Sequence, residues 1–171
     1  MGISFSIIDA DCYGTSTGSI EAFIGSTSIP PYYYVWDGPS MFHSEGLGLD
    51  YVSNLPAGVY QLTVTDGNNC TQTASFNISE PASLSTSVVQ SPQNNYVLIA
   101  NTPTGGVAPY SYSWREQGSP NTALALGTST TYNVYSPGTY FVRVTDANGC
   151  EDVSNTFTYT ATGVADLSAV M

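Results

Sequence analysis

The sequence contains no lysine and only two arginines, Arg115 and Arg143, against thirteen acidic residues and a formal net charge of −11. Because nucleic-acid binding requires a basic patch that neutralises phosphates, we expect no nucleic-acid partner. The same charge balance excludes an anionic membrane surface as a partner. No segment approaches the roughly 18 consecutive apolar residues of a transmembrane helix, so no membrane insertion is expected.

Cysteine is also scarce. The three cysteines, Cys12, Cys70 and Cys150, are too few for a disulfide scaffold and lack the spacing of a metal site. The first residues lack the basic and apolar segments of a signal peptide. Threonine, serine, glycine, asparagine, tyrosine and valine make up much of the chain, and this composition favours strands and turns over helices.

Two sequence blocks recur in the same order. The pattern Gly-x-Tyr…Val-Thr-Asp-x-Asn-x-Cys of residues 58–70 recurs at 138–150, and Pro-Tyr-x-Tyr-x-Trp of residues 31–36 recurs at 109–114. Such self-similarity is the signature of a repeat architecture. We predict one copy at residues 1–81, a second at 82–162, and a linker at 163–171. A repeat-like sequence behind an initiating methionine predicts a fragment whose targeting signals lie outside it.

Alternation of side chains predicts the strands and their buried faces. The segment Pro-Tyr-x-Tyr-x-Trp is predicted to be a strand in each copy. Its face opposite the tryptophan carries Tyr33 and Val35 in copy one but two serines in copy two. Serines rarely fill a core, so the tryptophan face is predicted to be buried. The tyrosine two residues after a turn glycine is similar to the tyrosine corner of immunoglobulin-like folds. The predicted core signature is Trp36, Tyr60, Trp114 and Tyr140.

About seven short strands per copy, with a tryptophan on a middle strand, predict an all-β fold of two tandem immunoglobulin-like β-sandwich domains. Candidate strands in the first copy include Ile3–Ile8 and Thr71–Ile78, and the segment 37–45 is predicted to be a loop. No segment shows a sustained helical period.

Outward-facing aromatic residues raise the possibility of carbohydrate binding. Phe23, Tyr33 and Val35 are candidates for surface contact with a partner. Copy two, however, replaces the two aromatic residues by Asn101 and Ser111. A platform duplicated with the repeat would keep its aromatic residues, so this hypothesis stands behind a structural role.

A calcium site is a further alternative. Calcium requires six to eight oxygen ligands, and Asp9, Asp11 and Glu21 are the best available candidates. No cluster supplies enough ligands alone. Asp66 and Asp146, at strand-end turns, are interpreted as residues that bond their own loop backbone. We therefore predict no metal and no other cofactor.

Catalysis has little support in the sequence. The single histidine, His43, has no nucleophile motif beside it, and copy two has no histidine. Paired carboxylates for glycoside hydrolysis have no identifiable cleft. We predict that the chain is not an enzyme and has no catalytic residues.

Six segments of copy one together resemble a known family. They are Cys12-x-Gly14, Gly18-x-Ile20, Pro31-Tyr-x-Tyr-x-Trp36, Leu55-Pro-Ala-Gly-x-Tyr60, Val64-Thr-Asp-x-Asn-x-Cys70 and Ile78-Ser-Glu-Pro81. This combination resembles the SprB-type repeat, similar to PKD-like and immunoglobulin-like modules, of cell-surface adhesins in gliding Bacteroidetes. Copy two lacks the early cysteine. The tail Thr162–Leu167 resembles the linker before a type IX secretion sorting domain.

The resemblance implies three further expectations. The family pattern pairs the early and late cysteines, which implies a Cys12–Cys70 disulfide and leaves Cys150 without a partner. It implies a location outside the cell or on its surface. It also implies a stalk, spacer or adhesion module that contacts an extracellular polysaccharide or protein and is monomeric as a fragment. The alternatives are a carbohydrate-binding accessory region of a secreted hydrolase and a calcium-stiffened spacer.

Overall fold

The computed structural model describes residues 2–25, 28–40, 42–46, 49–118 and 129–160, with residues 42–46 and 49 described by their backbone alone. Every regular element in these ranges is a β-strand, and every strand pairing is antiparallel, which confirms the predicted all-β class. Within the same ranges, no helix is long and apolar enough to cross a membrane. The chain divides into two compact units, unit 1 at Met1–Ser83 and unit 2 at Leu84–Met171.

Unit 1 contains seven described strands in two antiparallel sheets. One sheet has the order β1-β2-β5 and the other the order β4-β3-β6-β7. The strands are β1 (Ile3–Ile8), β2 (Gly18–Ile24), β3 (Tyr32–Asp37), β4 (Phe42–Gly46), β5 (Leu49–Leu55), β6 (Gly58–Thr65) and β7 (Thr71–Ile78).

The core of unit 1 is built from the inward-facing residues of both sheets. Burial alternates along β3 and β6, where every second side chain is buried, because successive side chains of a strand point to opposite faces. The buried cluster is formed by Ile20, Ala22, Tyr32, Tyr34, Trp36, Leu55, Tyr60, Leu62, Val64 and Ile78. This alternation is the pattern that the sequence predicted for the middle strands.

Unit 2 repeats this plan with shorter strands. Its sheets have the orders β8-β9-β11 and β10-β12-β13, with β14 also paired to β12. The strands are β8 (Val88–Gln90), β9 (Val97–Ala100), β10 (Ser111–Glu116), β11 (Thr131–Asn133), β12 (Gly138–Thr145), β13 (Glu151–Val153) and β14 (Phe157–Tyr159). Trp114, Tyr140, Val142 and Val144 lie in its core.

The last strand differs between the units. In unit 1, β7 pairs with β6 along its whole length, from Thr71 to Ile78. In unit 2, the equivalent segment is interrupted between β13 and β14, and a side chain fills the gap. The Val142 N–H donates to Ser154 Oγ at 3.0 Å, and the Ser154 N–H donates to the Val142 carbonyl at 3.0 Å. Ser154 therefore satisfies both backbone groups of Val142 where the regular ladder stops.

The segment 37–45, predicted to be a loop, contains most of strand β4. Its sequence Phe-His-Ser-Glu-Gly lacks the alternation of apolar and polar residues in a half-buried strand, so the sequence pattern does not predict a strand here. The strand exists because its backbone pairs with β3, with Trp36 opposite Phe42. Pairing across the sheet, which a local pattern does not reveal, makes it a strand.

Candidate functional site

The two tryptophans are structural residues at the centre of each unit. Trp36 and Trp114 are both buried. The Trp36 Nε1–H donates to Asp50 Oδ2 at 2.7 Å, and the Trp114 Nε1–H donates to the Ser129 carbonyl at 3.0 Å. Each indole thus packs its apolar surface in the core and satisfies its single donor, as buried tryptophans generally do.

Each unit also has a tyrosine corner. The Tyr60 hydroxyl donates to the Pro56 carbonyl at 2.9 Å, and the Tyr140 hydroxyl donates to the Ser136 carbonyl at 2.7 Å. Burial raises the pKa of Tyr60, more than its hydrogen bond with Ser40 lowers it, so the hydroxyl remains a proton donor. These tyrosines tie the start of their strand to the preceding loop, four residues upstream.

A glycine makes room for the corner in unit 1. Gly38 has a φ of +154°, and a Cβ at this position would lie 2.6 Å from Cδ1 of Tyr60. A side chain at residue 38 would therefore both strain the backbone and displace the tyrosine ring.

The Cys12–Cys70 disulfide implied by the family resemblance is wrong, because Cys70 is a free and exposed thiol. Cys12 is disulfide-bonded. In unit 2, Cys150 is also disulfide-bonded, which corrects the expectation that it lacks a partner.

The geometry of unit 1 explains why Cys12 and Cys70 stay apart. The loop with Cys12 is bound to the end of β7, since the Gly14 N–H donates to Glu80 Oε2 at 2.6 Å. Cys70 lies in the β6–β7 turn, at the opposite end of the paired strands. At about 3.3 Å per residue, these strands hold the two ends about 20 Å apart. Disulfide-bonded Cα atoms lie no more than about 7 Å apart.

Asp66 and Asp146 organise equivalent turns, in agreement with their sequence-based interpretation. Asp66 Oδ1 accepts hydrogen bonds from the backbone N–H groups of Asn68 and Cys70, both at 2.9 Å. Asp146 Oδ1 accepts the same two bonds from its own turn, also at 2.9 Å. Both aspartates are buried. Their first role is therefore to replace missing backbone partners inside a tight turn.

Asp146 makes one bond that Asp66 does not. The Val107 N–H donates to Asp146 Oδ2 at 2.8 Å. Burial, the largest single effect, opposes ionisation of this carboxyl. The backbone N–H groups of Val107, Cys150, Asn148 and Gly149 together outweigh it and hold the pKa of Asp146 below its ordinary value.

The three calcium candidates are not brought together. Asp9 Oδ1 accepts a bond from the Ser79 N–H at 2.7 Å, which fastens the β1–β2 loop to the end of β7. The Asp11 N–H donates to Thr17 Oγ1 within that loop. Glu21 lies within β2, opposite Tyr51. Across the described ranges, no three His, Cys, Asp or Glu residues are grouped to hold a metal ion.

The candidates for surface contact lie on two different faces of unit 1. Phe23 is exposed on the sheet β1-β2-β5, where Tyr51 of the neighbouring strand is also exposed. Tyr33 is exposed and Val35 half-buried on β3, which belongs to the other sheet. These residues therefore do not form one aromatic platform. The backbone of His43 lies opposite Val35, and its side chain lies outside the described residues.

A groove in unit 1 brings Tyr33 and Asp66 together. It has a volume of about 470 Å³ and is lined by Pro31, Tyr33, Thr65, Asp66, Gly67 and Asn69. The β3–β6 register places Tyr33 opposite Thr65, beside the turn that Asp66 organises. The sequence singled out Tyr33 and Asp66 for separate reasons. Only the pairing of these two distant strands shows that they share a groove.

Two sheets facing a common core, a central tryptophan and a tyrosine corner define an immunoglobulin-like β-sandwich, a class that is typically non-catalytic. Residues 4–41 match the family model of the SprB repeat. Over these residues unit 1 is similar to a SprB repeat, and repeats of this type occur in cell-surface proteins. No curated protein matches the sequence.

A comparison with solved structures finds matches that include three proteins. The three N-terminal domains of the bacteriophage RB49 Highly Immunogenic Outer Capsid protein (Hoc) have a TM-score of 0.51 and 15% identity, over 91% of this chain and 57% of that chain. The chain thus spans little more than half of that structure, and the likeness concerns the fold alone. The BSP domain of a biofilm associated protein has a TM-score of 0.31 and 18% identity, over 90% of this chain and 29% of that chain. The two fibronectin type-III domain segment of chicken tenascin has a TM-score of 0.34 and 14% identity, over 91% of this chain and 95% of that chain.

Proposed function

We propose that the chain is a non-catalytic repeat pair of a secreted or cell-surface protein, and that it acts as a spacer and an adhesion module. One observation carries this proposal: the two units share their buried scaffold but not their outward side chains. The tryptophan, the tyrosine corner and the turn aspartate occur in both units. The exposed Phe23 and Tyr33 are replaced by asparagine and serine in the second copy.

A spacer requires units that stay folded without a ligand. Each unit has its own buried cluster and its own tyrosine corner. A tandem array of such units sets the distance between a cell surface and whatever the protein carries. The SprB repeat match at residues 4–41 supports a position at the cell surface, and export by a type IX system is part of the proposal.

An adhesion module gains strength from repetition. Several weak sites on one chain, or many chains on one surface, hold far more tightly than a single site because later binding events become intramolecular. Divergent outward faces on a constant scaffold allow each copy to contact a different partner.

The adhesive role is tested by displaying the chain on beads at high density and measuring their retention under flow on surfaces coated with polysaccharide or with glycoprotein. We expect retention by displayed beads and much weaker binding by the soluble chain. Displayed beads that are washed away from every surface as fast as uncoated beads would contradict the adhesive role.

The spacer role is tested separately by single-molecule pulling under reducing conditions. Each unit should unfold in one step and release about 80 residues, or roughly 28 nm at about 3.5 Å per residue. Gradual extension without two discrete steps would contradict the spacer role and leave the adhesion result unaffected.

A further inference from the structure

We infer that unit 1 binds a neutral carbohydrate in the groove lined by Pro31, Tyr33, Thr65, Asp66, Gly67 and Asn69. The inference rests on the adhesive part of the proposed function and names the class of its partner. The volume of about 470 Å³ falls within the range of about 300–1,000 Å³ that is usual for small-molecule sites.

The groove contains a carboxylate oxygen that the fold leaves unused. Asp66 is 7% exposed, and its Oδ1 accepts both turn bonds. Among the residues that the structure describes, none donates to its Oδ2. In unit 2 the corresponding oxygen of Asp146 accepts the Val107 N–H. Asp66 Oδ2 is not among the side-chain atoms that are buried without a partner, so it reaches solvent at the groove and is available to a hydroxyl group of a ligand.

Two other groups of the groove are specific to unit 1. Tyr33 corresponds to Ser111 in the second copy, and Asn69 corresponds to Gly149. Asn69 has a φ of 63° and Gly149 a φ of 85°. Because glycine adopts this conformation at least as readily, the turn alone does not require an asparagine. The asparagine adds an exposed amide to the groove, and its side chain bonds no other described residue.

These groups match the chemistry of a sugar. A sugar ring has an apolar face of C–H groups and a rim of hydroxyls that both donate and accept hydrogen bonds. Tyr33 supplies an aromatic ring that is 52% exposed. Asp66 Oδ2 accepts, while the Asn69 amide and the Thr65 hydroxyl both donate and accept. The cationic side chains of a basic peptide can only donate hydrogen bonds, so they would leave the donors of the groove without acceptors.

Charge restricts the sugar to a neutral one. Unit 1 carries eight of the thirteen acidic residues and neither arginine. Anionic polysaccharides, such as sulfated or uronate-rich chains, would be repelled by the negative charge of unit 1. A neutral hexose polymer carries no such cost.

The test is native affinity electrophoresis of the full chain. The protein has a pI of about 4.1 and migrates towards the anode in native gels. Separate gels contain glucan, mannan or galactan, and binding appears as retardation relative to a gel without polysaccharide. We expect at least one neutral polysaccharide to retard the wild-type chain.

The decisive variant combines Tyr33→Ser and Asn69→Gly, the residues that unit 2 carries at these positions. Since the second copy folds with them, the variant should keep its melting temperature. We expect its affinity for the retarding polysaccharide to fall about tenfold or more, the change that roughly 1.4 kcal/mol produces. Asp66 is left intact because it also holds the turn.

Tyr51→Ser is the matched control. Tyr51 is as exposed as Tyr33 but lies on the other sheet, and its loss should leave retardation unchanged. Equal retardation of the double variant and the wild type would overturn the inference. So would equal losses in the double variant and the control, or no retardation in any gel.

Binding of an oligolysine peptide that weakens steeply with salt, without polysaccharide retardation, would assign the groove to cations instead. None of these results contradicts the proposed function if beads are retained on a glycoprotein surface. Loss of retention on every surface would contradict the adhesive role itself.

Discussion

The Tyr60 hydroxyl lies 2.9 Å from the carbonyl oxygen of Pro56, four residues earlier in the chain, and the Tyr140 hydroxyl of unit 2 repeats this bond to Ser136 at 2.7 Å. Tyr60→Phe and Tyr140→Phe keep the buried ring and remove only the bond. Each should lower the free energy of unfolding by about 1 kcal/mol, the usual net worth of such a bond. Urea unfolding measures the loss. Tyr51→Phe, on an exposed ring, should have no effect, and similar values for all three would contradict the role of the corner.

Asp146 should make the free energy of unfolding of unit 2 depend on pH in the acidic range. Its pKa is held below the ordinary value of 3.8, so its carboxylate stabilises the fold fully above about pH 4. That contribution is lost as the pH falls through the lower, folded-state pKa. Asp146→Asn, which cannot accept the Val107 bond through its NH₂ group, should be destabilised at pH 7, and its difference from the wild type should shrink as the pH falls below about 4.

Asp37→Asn removes an exposed carboxylate and controls for the change in net charge. The measurement is the unfolding free energy of the three proteins at several pH values. A difference between Asp146→Asn and the wild type that stays constant down to about pH 2 would contradict this assignment.

Cys70 should be the accessible thiol of the native, non-reduced protein. Alkylation followed by peptide mass spectrometry should modify Cys70 and leave Cys12 and Cys150 unmodified until reductant is added. Cys70→Ser should abolish native labelling. Native modification of Cys12, or protection of Cys70, would contradict the assignment of Cys70 as the free thiol and of Cys12 as a disulfide-bonded residue.

Ser154→Ala should destabilise unit 2 because it removes the acceptor of the buried Val142 N–H. A buried donor left without a partner costs about 1–3 kcal/mol. Ser113→Ala, on the neighbouring strand β10, removes a hydroxyl that bonds none of the described residues, and it serves as the control. Equal unfolding midpoints for both variants would show that water replaces the lost oxygen.

Chelation should not change the stability of the chain. Asp9 is bound to the Ser79 N–H and Glu21 lies within β2, so the calcium candidates do not converge. The thermal midpoint should be the same with calcium and with EDTA. A rise in the presence of calcium would restore the calcium-stiffened spacer as an explanation.

The strands and buried faces of the scaffold could be predicted from the sequence because they depend on local side-chain patterns. Alternation along β3 and β6 identified the tryptophan face, and β1 and β7 have the bounds that the sequence predicted. Strand β4 was missed because its residues do not alternate. It depends on pairing with β3, which is a property of the sheet and not of the segment.

The site was less predictable because it depends on distances between segments. The cysteine pairing taken from the family resemblance placed Cys12 beside Cys70, but the bonds from the β1–β2 loop to Ser79 and Glu80 hold Cys12 at the other end of β6 and β7. The groove likewise could not be predicted from the sequence, because Tyr33 and Asp66 are brought together only by the β3–β6 register.

The two arginines both lie in unit 2, inside paired strands. Arg115 is in β10 opposite Phe141, and Arg143 is in β12, where it forms an ion pair with Glu151 at 3.1 Å. A protease that cleaves after basic residues needs an extended, unpaired segment, and such segments occur mainly at loop tips. Unit 1 offers such an enzyme no basic residue, and unit 2 must open its sheet before cleavage. The scarcity and the placement of basic residues therefore make the folded chain resistant to proteases that cleave after arginine or lysine.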